Sequence, residues 1–123
     1  MLWNRLGATL ANSGKTEAAI DAYSQALSIK PSYVRAHYNL GVGCMNIGCY
    51  KEAAEHFLGA LSTHAKQQQS GPHDTSHSHL FGISTTLWDT LRRAFYAMNR
   101  GDLAVLAKPS GTDLSVFRGD FDF

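Results

Sequence analysis

The sequence predicts an all-α fold, in which two helical-hairpin repeats form a short superhelix and a small C-terminal helical bundle follows. Residues 3–31 and 37–65 carry one pattern at an offset of 34 residues, and a period of this length is typical of stacked helix-turn-helix units. Within each copy, apolar residues recur at three- and four-residue spacing, which indicates amphipathic helices. Five features match between the copies: Leu6-Gly7 with Leu40-Gly41, Asn12 with Asn46, Ala19 with Ala53, Tyr23 with Phe57, and Ala26 with Ala60.

Glycine and proline set the predicted helix ends. Gly14 and Gly48 suit the left-handed conformation that ends many helices, and Pro31 cannot continue one. The predicted helices run over residues 2–13 and 16–30 in the first copy, and from 32 or 34 to 47 and over 50–66 in the second.

Two further glycines, Gly7 and Gly41, stand in the middle of predicted helices. Each costs about 1 kcal/mol relative to alanine at such a position. We therefore expect the two helices of each hairpin to approach closely at these glycines.

The sequence divides into three parts: the repeats at 1–66, a linker at 67–83 and the bundle with its tail at 84–123. The linker is rich in Gln, His and Ser, and predicts a flexible surface loop. In the bundle, Ser84, Thr85 and Thr86 offer N-cap hydroxyls for a helix that continues to Met98. A short helix over 102–107 and one more turn over 112–117 should follow, and residues 118–123 should be frayed.

The charge and the hydropathy exclude two classes of partner. Eleven basic and ten acidic side chains give a formal net charge of +1, without the basic excess of a nucleic-acid-binding surface. No apolar run approaches the roughly 20 residues that cross a bilayer. Met1 leads directly into the first repeat, without a secretory leader, so we expect a cytoplasmic protein. A start inside a helix without an N-cap also leads us to expect part of a longer protein.

The two cysteines do not indicate a cofactor site. Cys44 and Cys49 lack CxxC spacing, and Cys44 stands where the first copy has Leu10, a packing position. We expect free thiols here, rather than a disulfide or a metal site.

The histidines also favour structural or surface roles. His73, His77 and His79 lie in the predicted loop without cysteine or clear carboxylate companions, so a solvated cluster is favoured over zinc. His37 takes the place of Trp3 and should pack, while His56 should lie on the surface. No oriented nucleophile and base can be argued, and we predict no enzyme activity, no metal and no cofactor.

Asparagines recur along the first helix of each repeat. Because each helical residue advances by about 100°, Arg35, Asn39 and Asn46 fall within about 40° of one another. Asn4 and Asn12 lie about 80° apart, with Ala8 between them. An asparagine amide both donates and accepts hydrogen bonds, and the guanidinium fork matches a carboxylate. Together these groups favour a reader of peptide C-termini.

A structural alternative remains for two of these asparagines. Asn12 and Asn46 each precede a helix-ending glycine by two residues, so they would simply cap their helices. Asn4 and Asn39 lie mid-helix, where asparagine is a poor helix former, so this alternative fits them less well.

The order Trp3, Leu6, Gly7, Leu10, Ala19, Tyr23, Ala26, Pro31 resembles the tetratricopeptide repeat. More specifically, "LWNRLGATLAN" and "YVRAHYNLGVGCMNIG…KEAAEHFLGAL" resemble the last two repeats of the peroxisomal import receptors that read type 1 targeting signals. "ISTTLWDTLRRA" resembles the helical bundle that closes those receptors, and "DLSVF" resembles their final segment more weakly.

The resemblance implies a function and a set of site residues. Receptors of this family bind cargo that ends in Ser-Lys-Leu or a similar tripeptide, through asparagines on the concave side formed by the first helix of each repeat. They work in the cytoplasm and cycle to the peroxisomal or glycosomal membrane. The implied peptide-binding residues are Asn4, Arg5, Ala8, Asn12, Arg35, Asn39 and Asn46, with Ser84 of the bundle near the cargo.

The departures from the family pattern leave alternatives open. The N-terminal docking motifs, the cysteine region and the first repeats of the family have no counterpart here, so membrane docking proteins would be contacted through regions that this sequence lacks. A co-chaperone-like adaptor would place a cationic clamp where this chain has Asn4 and Ala8. A generic repeat scaffold without import function is the other alternative.

Overall fold

A computed structural model describes residues 2–70, 77–108 and 114–123, and the side chains of 68–70 and 77–82 are not described. All regular structure in these ranges is helical, which confirms the predicted all-α class. Six α-helices and one 3₁₀ helix follow one another: α1 Leu2–Asn12, α2 Thr16–Ile29, α3 Val34–Asn46, α4 Tyr50–Ser70, α5 His77–Ala97, α6 Gly101–Leu106 and η1 Leu114–Phe117.

The mid-helix glycines mark the contact between the two helices of each hairpin. A Cβ atom added to Gly7 would lie 2.5 Å from the ring of Tyr23, and one added to Gly41 would lie 2.5 Å from the ring of Phe57. Any side chain at either position would displace an aromatic ring. The expected close approach is therefore confirmed, and it explains why both repeats accept the helix-propensity cost of glycine.

Three helices end in the same backbone motif. Gly14 and Gly48 follow α1 and α3 with φ of 78° and 84°, and Asn99 follows α5 with φ of 60°. In the turn after α3, Gly48 N–H donates to Met45 O at 3.1 Å and Cys49 N–H donates to Cys44 O at 2.9 Å. This pair of bonds defines the Schellman motif, in which the backbone itself satisfies the last carbonyls of a helix.

The predicted boundaries of the loop at 67–83 are wrong at both ends. Helix α4 continues to Ser70 and α5 already begins at His77. Gln is a good helix former and extending an existing helix costs little, so α4 runs on into the Gln-rich stretch. The predicted solvated cluster of His73, His77 and His79 is not tested here. Residues 71–76, which include His73, lie outside the described residues, as do the side chains of His77 and His79. Because α5 starts before Ser84, Thr85 and Thr86, these hydroxyl residues do not cap it.

The main core joins the second repeat to the bundle. Buried side chains from α3, α4, α5, α6 and the tail form one cluster, and its largest fully buried members are Phe57, Phe95, Phe117, Leu58, Leu87 and Leu91. A smaller cluster of Ala19, Tyr23 and Leu40 connects α2 to α3. The bundle is therefore packed against the second repeat rather than separate from it.

The end of the chain is packed, which corrects the expected fraying of 118–123. Phe121 is 5% exposed, and its ring lies 5.5 Å from the ring of Phe95, centroid to centroid. The backbone N–H of Asp122 donates to Glu55 Oε2 on α4 at 2.8 Å. A large aromatic side chain anchors the tail because burying it removes much apolar surface from water.

The outer side of α1 is apolar and open to solvent. Leu2, Trp3 and Leu6 are 79%, 38% and 43% exposed, and Gly7 is the one residue of α1 classed as buried. Exposed groups of large apolar side chains usually mark interaction surfaces.

Candidate functional site

The first helices of the two repeats are joined by a pair of predicted site residues. Asn39 Nδ2 donates a hydrogen bond to Asn4 Oδ1 at 3.0 Å, in a partly buried setting. Both side chains are half-buried. The bond leaves one N–H of Asn39, both N–H groups of Asn4 and the Oδ1 of Asn39 with capacity for further hydrogen bonds. The structure thus brings two of the predicted residues into direct contact.

The other predicted residues of α3 extend along the same face. Arg35 lies one turn before Asn39 and Asn46 lies two turns after it, and both are exposed. At 1.5 Å per residue, the distance along the axis from Arg35 to Asn46 is about 16 Å. An extended peptide advances about 3.3 Å per residue, so this face is long enough for roughly five peptide residues.

The predicted residues of α1 surround Asn4 on its helix. Ala8 is half-buried one turn after Asn4, while Arg5 and Asn12 are exposed. Ala8 and Asn4 lie within about 40° of each other around the helix. A small side chain beside a partly buried amide leaves space that a larger residue would fill.

The exposed Asn12 and Asn46 do not close the helices they end. Lys15 N–H and Cys49 N–H donate to the backbone oxygens of Leu10 and Cys44, both at 2.9 Å. Backbone groups therefore close both turns, and the two asparagine side chains are not needed as caps. This removes the main structural explanation for their recurrence.

Ser84 is placed differently from the other predicted residues. It lies half-buried within α5, and α5 packs mainly against α4 and only lightly against α3. No described contact joins its side chain to the asparagines.

Arg35 lines a small cavity of about 230 Å³ at the start of α3. Lys30, Ser32, Tyr33, Val34 and Gln67 form the rest of its wall. Gln67 Nε2 donates to Ser32 O at 3.0 Å, so α4 touches the turn before α3. Among the described residues no carboxylate pairs with Arg35.

A second, larger cavity was not predicted from the sequence. About 510 Å³ in volume, it lies between α4 and the tail and contains none of the predicted binding residues. Its wall is formed by His37, Glu52, Glu55, His56, Gly59, Ser62, Thr63, Lys66, Arg118, Asp122 and Phe123. Only the folding of the tail onto α4 brings Arg118 and Asp122 to this place.

Two histidines meet in the wall of this cavity. The rings of His37 and His56 are 5.8 Å apart, centroid to centroid, and His37 packs on Gly59 as expected. His56, expected at the surface, is half-buried. Burial lowers the pKa of both histidines, and the charge of His56 lowers that of His37 further. Glu55 and Glu52 partly offset the effect on the pKa of His56.

Neither a metal-binding cluster nor a membrane-spanning helix occurs among the described residues. They contain no group of three or more His, Cys, Asp or Glu side chains placed to hold a metal ion. No helix among them is both long and apolar enough to span a lipid bilayer.

Comparison with known proteins finds relatives that align with the whole chain. A tetratricopeptide repeat family model matches residues 7–42. All 123 residues align at 55% identity with the peroxisomal targeting signal receptor of Candida albicans and at 51% with that of Saccharomyces cerevisiae, covering 20% of each. The receptor of Yarrowia lipolytica is 55% identical over the same 123 residues, which are 19% of its length. This chain is a relative of the peroxisomal targeting signal receptors.

The chain corresponds to only part of each of these receptors. The chain spans about a fifth of the length of these receptors, although it aligns from its first residue to its last. The names of these relatives describe receptors, which agrees with a non-enzymatic role.

Proposed function

We propose that the asparagine face of α1 and α3 binds the C-terminal tripeptide of cargo proteins, of the Ser-Lys-Leu type, for import into peroxisomes or glycosomes. The binding residues are Asn4, Arg5, Ala8, Asn12, Arg35, Asn39 and Asn46, with Ser84 near the cargo. In this proposal the receptor picks up its cargo in the cytoplasm and cycles to the organelle membrane.

The hydrogen bond between Asn4 and Asn39 is the observation that carries this proposal. It orients two amides from successive repeats side by side, so that one site offers an acceptor oxygen and several donors together. An extended peptide backbone presents donors and acceptors in alternation along its length. Paired amides therefore suit a peptide main chain, whatever its side chains.

Arg35 supplies the group that distinguishes a chain end from a chain middle. Its exposed guanidinium lies about one helical turn from Asn39 and has no carboxylate partner among the described residues. A guanidinium can bind a carboxylate with two parallel hydrogen bonds, which a lysine cannot reproduce. We therefore place the carboxylate of the cargo near Arg35.

The deciding experiment is a titration of the 123-residue chain with a fluorescent peptide that ends in Ser-Lys-Leu, followed by fluorescence anisotropy. The same peptide with an amidated C-terminus is the comparison. We expect the amide to bind at least about tenfold more weakly, because a hydrogen-bonded charge pair contributes about 1.5–3 kcal/mol. Equal affinity for the two peptides would refute carboxylate recognition, and no affinity for either would favour the scaffold alternative.

Matched variants locate the site on the chain. Arg35→Lys should weaken binding of the peptide with a free carboxylate. It should also reduce the ratio between the affinities of that peptide and the amidated peptide. Arg93 is an exposed arginine on α5, and Arg93→Lys should leave both affinities unchanged. If Arg93→Lys weakened binding as much as Arg35→Lys, general positive charge rather than the α3 face would explain the affinity.

A further inference from the structure

The turn between α3 and α4 has a cysteine at each of the two positions that its Schellman motif brings together. Cys44 is the residue whose carbonyl accepts the closing hydrogen bond, and Cys49 is the residue whose N–H donates it, at 2.9 Å. Side chains at these two positions commonly contact each other in this motif. Here Cys44 is 7% exposed within the main core, and Cys49 is half-buried and packs against that core.

The backbone hydrogen bond limits how far apart the two cysteines can lie. With standard bond lengths on either side of the 2.9 Å contact, the two Cα atoms are separated by at most about 6.8 Å. Disulfides in proteins usually span Cα separations of about 4.4–6.8 Å. The turn therefore meets the distance requirement before any oxidation takes place.

The equivalent turns after α1 and α5 show that this backbone motif does not require cysteine at the two positions. Lys15 N–H donates to Leu10 O at 2.9 Å after α1, and Arg100 N–H donates to Phe95 O at 2.8 Å after α5. Leu–Lys and Phe–Arg pairs thus serve the same two positions. Only the α3–α4 turn carries a residue pair that can form a covalent bond.

We propose that Cys44 and Cys49 form a reversible intramolecular disulfide when the protein meets a hydroperoxide, and that this is a redox modification site at the end of α3. Both cysteines are free thiols in the structure, which is the reduced form. The proposal does not depend on the proposed function, although the ring closed by the disulfide contains Asn46.

The reaction assigns a different role to each cysteine. The Cys49 thiol, the more exposed of the two, ionises, and its thiolate attacks the peroxide, forming an S–O bond and breaking the O–O bond. Cys49 becomes a sulfenic acid, and the hydroxide that leaves takes up the proton released by the thiol, forming water. The Cys44 sulfur then attacks the Cys49 sulfur, the S–O bond breaks, and hydroxide leaves and takes up the Cys44 proton as water. In total, two thiols lose two electrons and two protons, and hydrogen peroxide is reduced to two molecules of water.

Burial supports this assignment of roles. It raises the pKa of the Cys44 thiol, and the neighbouring Cys49 and Glu52 raise it further. A thiol reacts with peroxide as its thiolate, so Cys44 is a poor first nucleophile at neutral pH. It is instead placed to resolve a sulfenic acid that forms on its neighbour.

Treating the purified 123-residue chain with hydrogen peroxide, followed by thiol alkylation and intact-mass measurement, tests the proposal. We expect a monomer that has lost two hydrogens, resists alkylation at both cysteines and returns to the dithiol form on reduction. Peptide mapping should find Cys44 linked to Cys49. A disulfide-linked dimer, two alkylated cysteines, or sulfinic acid at either residue in place of the link would each overturn the proposal.

Variants separate geometry from simple thiol reactivity. Cys44→Ala should leave Cys49 to accumulate sulfenic acid, which a dimedone reagent captures, and Cys49→Ala should make the remaining buried thiol react at least about tenfold more slowly. In a chain without native cysteines, Leu10→Cys combined with Lys15→Cys restores the pair at the equivalent α1 turn. That chain should also form an intramolecular disulfide, and failure to do so would contradict the geometric argument.

Discussion

Asn39 donates a hydrogen bond from its side-chain amide to the side-chain oxygen of Asn4 at 3.0 Å, and this bond joins the first helices of two successive repeats. Asparagine is a poor helix former, yet each helix has one at its middle or near its start. The bond gives the pair a structural role in addition to the proposed peptide contacts. The two roles can be separated by measurement.

A double-mutant cycle measures the structural part. Asn4→Ala and Asn39→Ala each remove the bond, whose net contribution we expect to be about 1 kcal/mol. The better helix propensity of alanine partly masks this loss in each single variant, but it cancels in the cycle. Denaturant unfolding should therefore show a coupling free energy of about 1 kcal/mol between the two sites.

The control pairs Asn4→Ala with Asn46→Ala, since Asn46 is exposed at the end of α3. We expect these two substitutions to be additive within about 0.5 kcal/mol. Additive effects for Asn4 and Asn39 as well would show that their hydrogen bond contributes nothing to stability.

Two glycines of the second repeat should respond differently to alanine. A Cβ at Gly41 would lie 2.5 Å from the ring of Phe57, whereas Gly48 has nothing within 4 Å of its added Cβ but has a φ of 84°. We expect Gly41→Ala to lower the free energy of unfolding by about 1–3 kcal/mol through overpacking. Gly48→Ala should lower it by about 1–2 kcal/mol through backbone strain.

Adding Phe57→Leu to each variant distinguishes the two causes. Beside Gly41→Ala, it should cost less than it does in the unmodified chain, because the smaller side chain relieves the clash. Beside Gly48→Ala, its cost should be unchanged. Equal costs in both backgrounds would contradict the steric explanation for Gly41.

The tail should contribute substantially to stability. Phe121 is 5% exposed and packs on Phe95, so Phe121→Ala should lower the free energy of unfolding by about 3–5 kcal/mol. Val116 in the neighbouring 3₁₀ helix is 51% exposed, and Val116→Ala should change it by no more than about 0.5 kcal/mol. A similar small effect at both positions, measured by urea unfolding, would mean that the tail is not docked in solution.

The free energy of unfolding should decrease as the pH falls below about 6.5, the ordinary pKa of histidine. Burial lowers the pKa values of His37 and His56 below the ordinary 6.5, so the unfolded chain binds protons more readily than the folded one. The free energy of unfolding should therefore decrease from about pH 6.5 downward, by at most about 1.4 kcal/mol per pH unit for each histidine. The loss should level off below the folded-state pKa values.

Charged side chains also line the cavity that contains His37 and His56. Glu55 and Glu52 raise the pKa of His56, and Lys66, Arg118 and Asp122 line the same cavity. Replacing both histidines by glutamine should flatten the pH dependence between pH 5.5 and 6.5, a window that leaves ordinary carboxylates charged. An unchanged slope in chemical denaturation at several pH values would rule out this histidine pair as its source.

The sequence alone determined the helical class, the two hairpins and their turns. These are local matters: Gly14 and Gly48 mark where the chain must turn, and periodic apolar residues mark which face of a helix is buried. The repeat also placed Asn12 and Asn46 at equivalent positions. Sequence spacing was sufficient to put Arg35, Asn39 and Asn46 on one face of α3, because helical geometry is regular.

The tertiary structure decided whatever depends on contacts between distant residues. The linker at 67–83 looked like a loop by composition, yet the helices on either side extend into it. The tail looked frayed because it is short and polar in part, and only the aromatic cluster with Phe95 shows why Phe121 is buried. The bond between Asn4 and Asn39, and the cavity between α4 and the tail, depend on how helices stack. Spacing along one helix specifies a face, but the partner of that face is chosen by packing between helices.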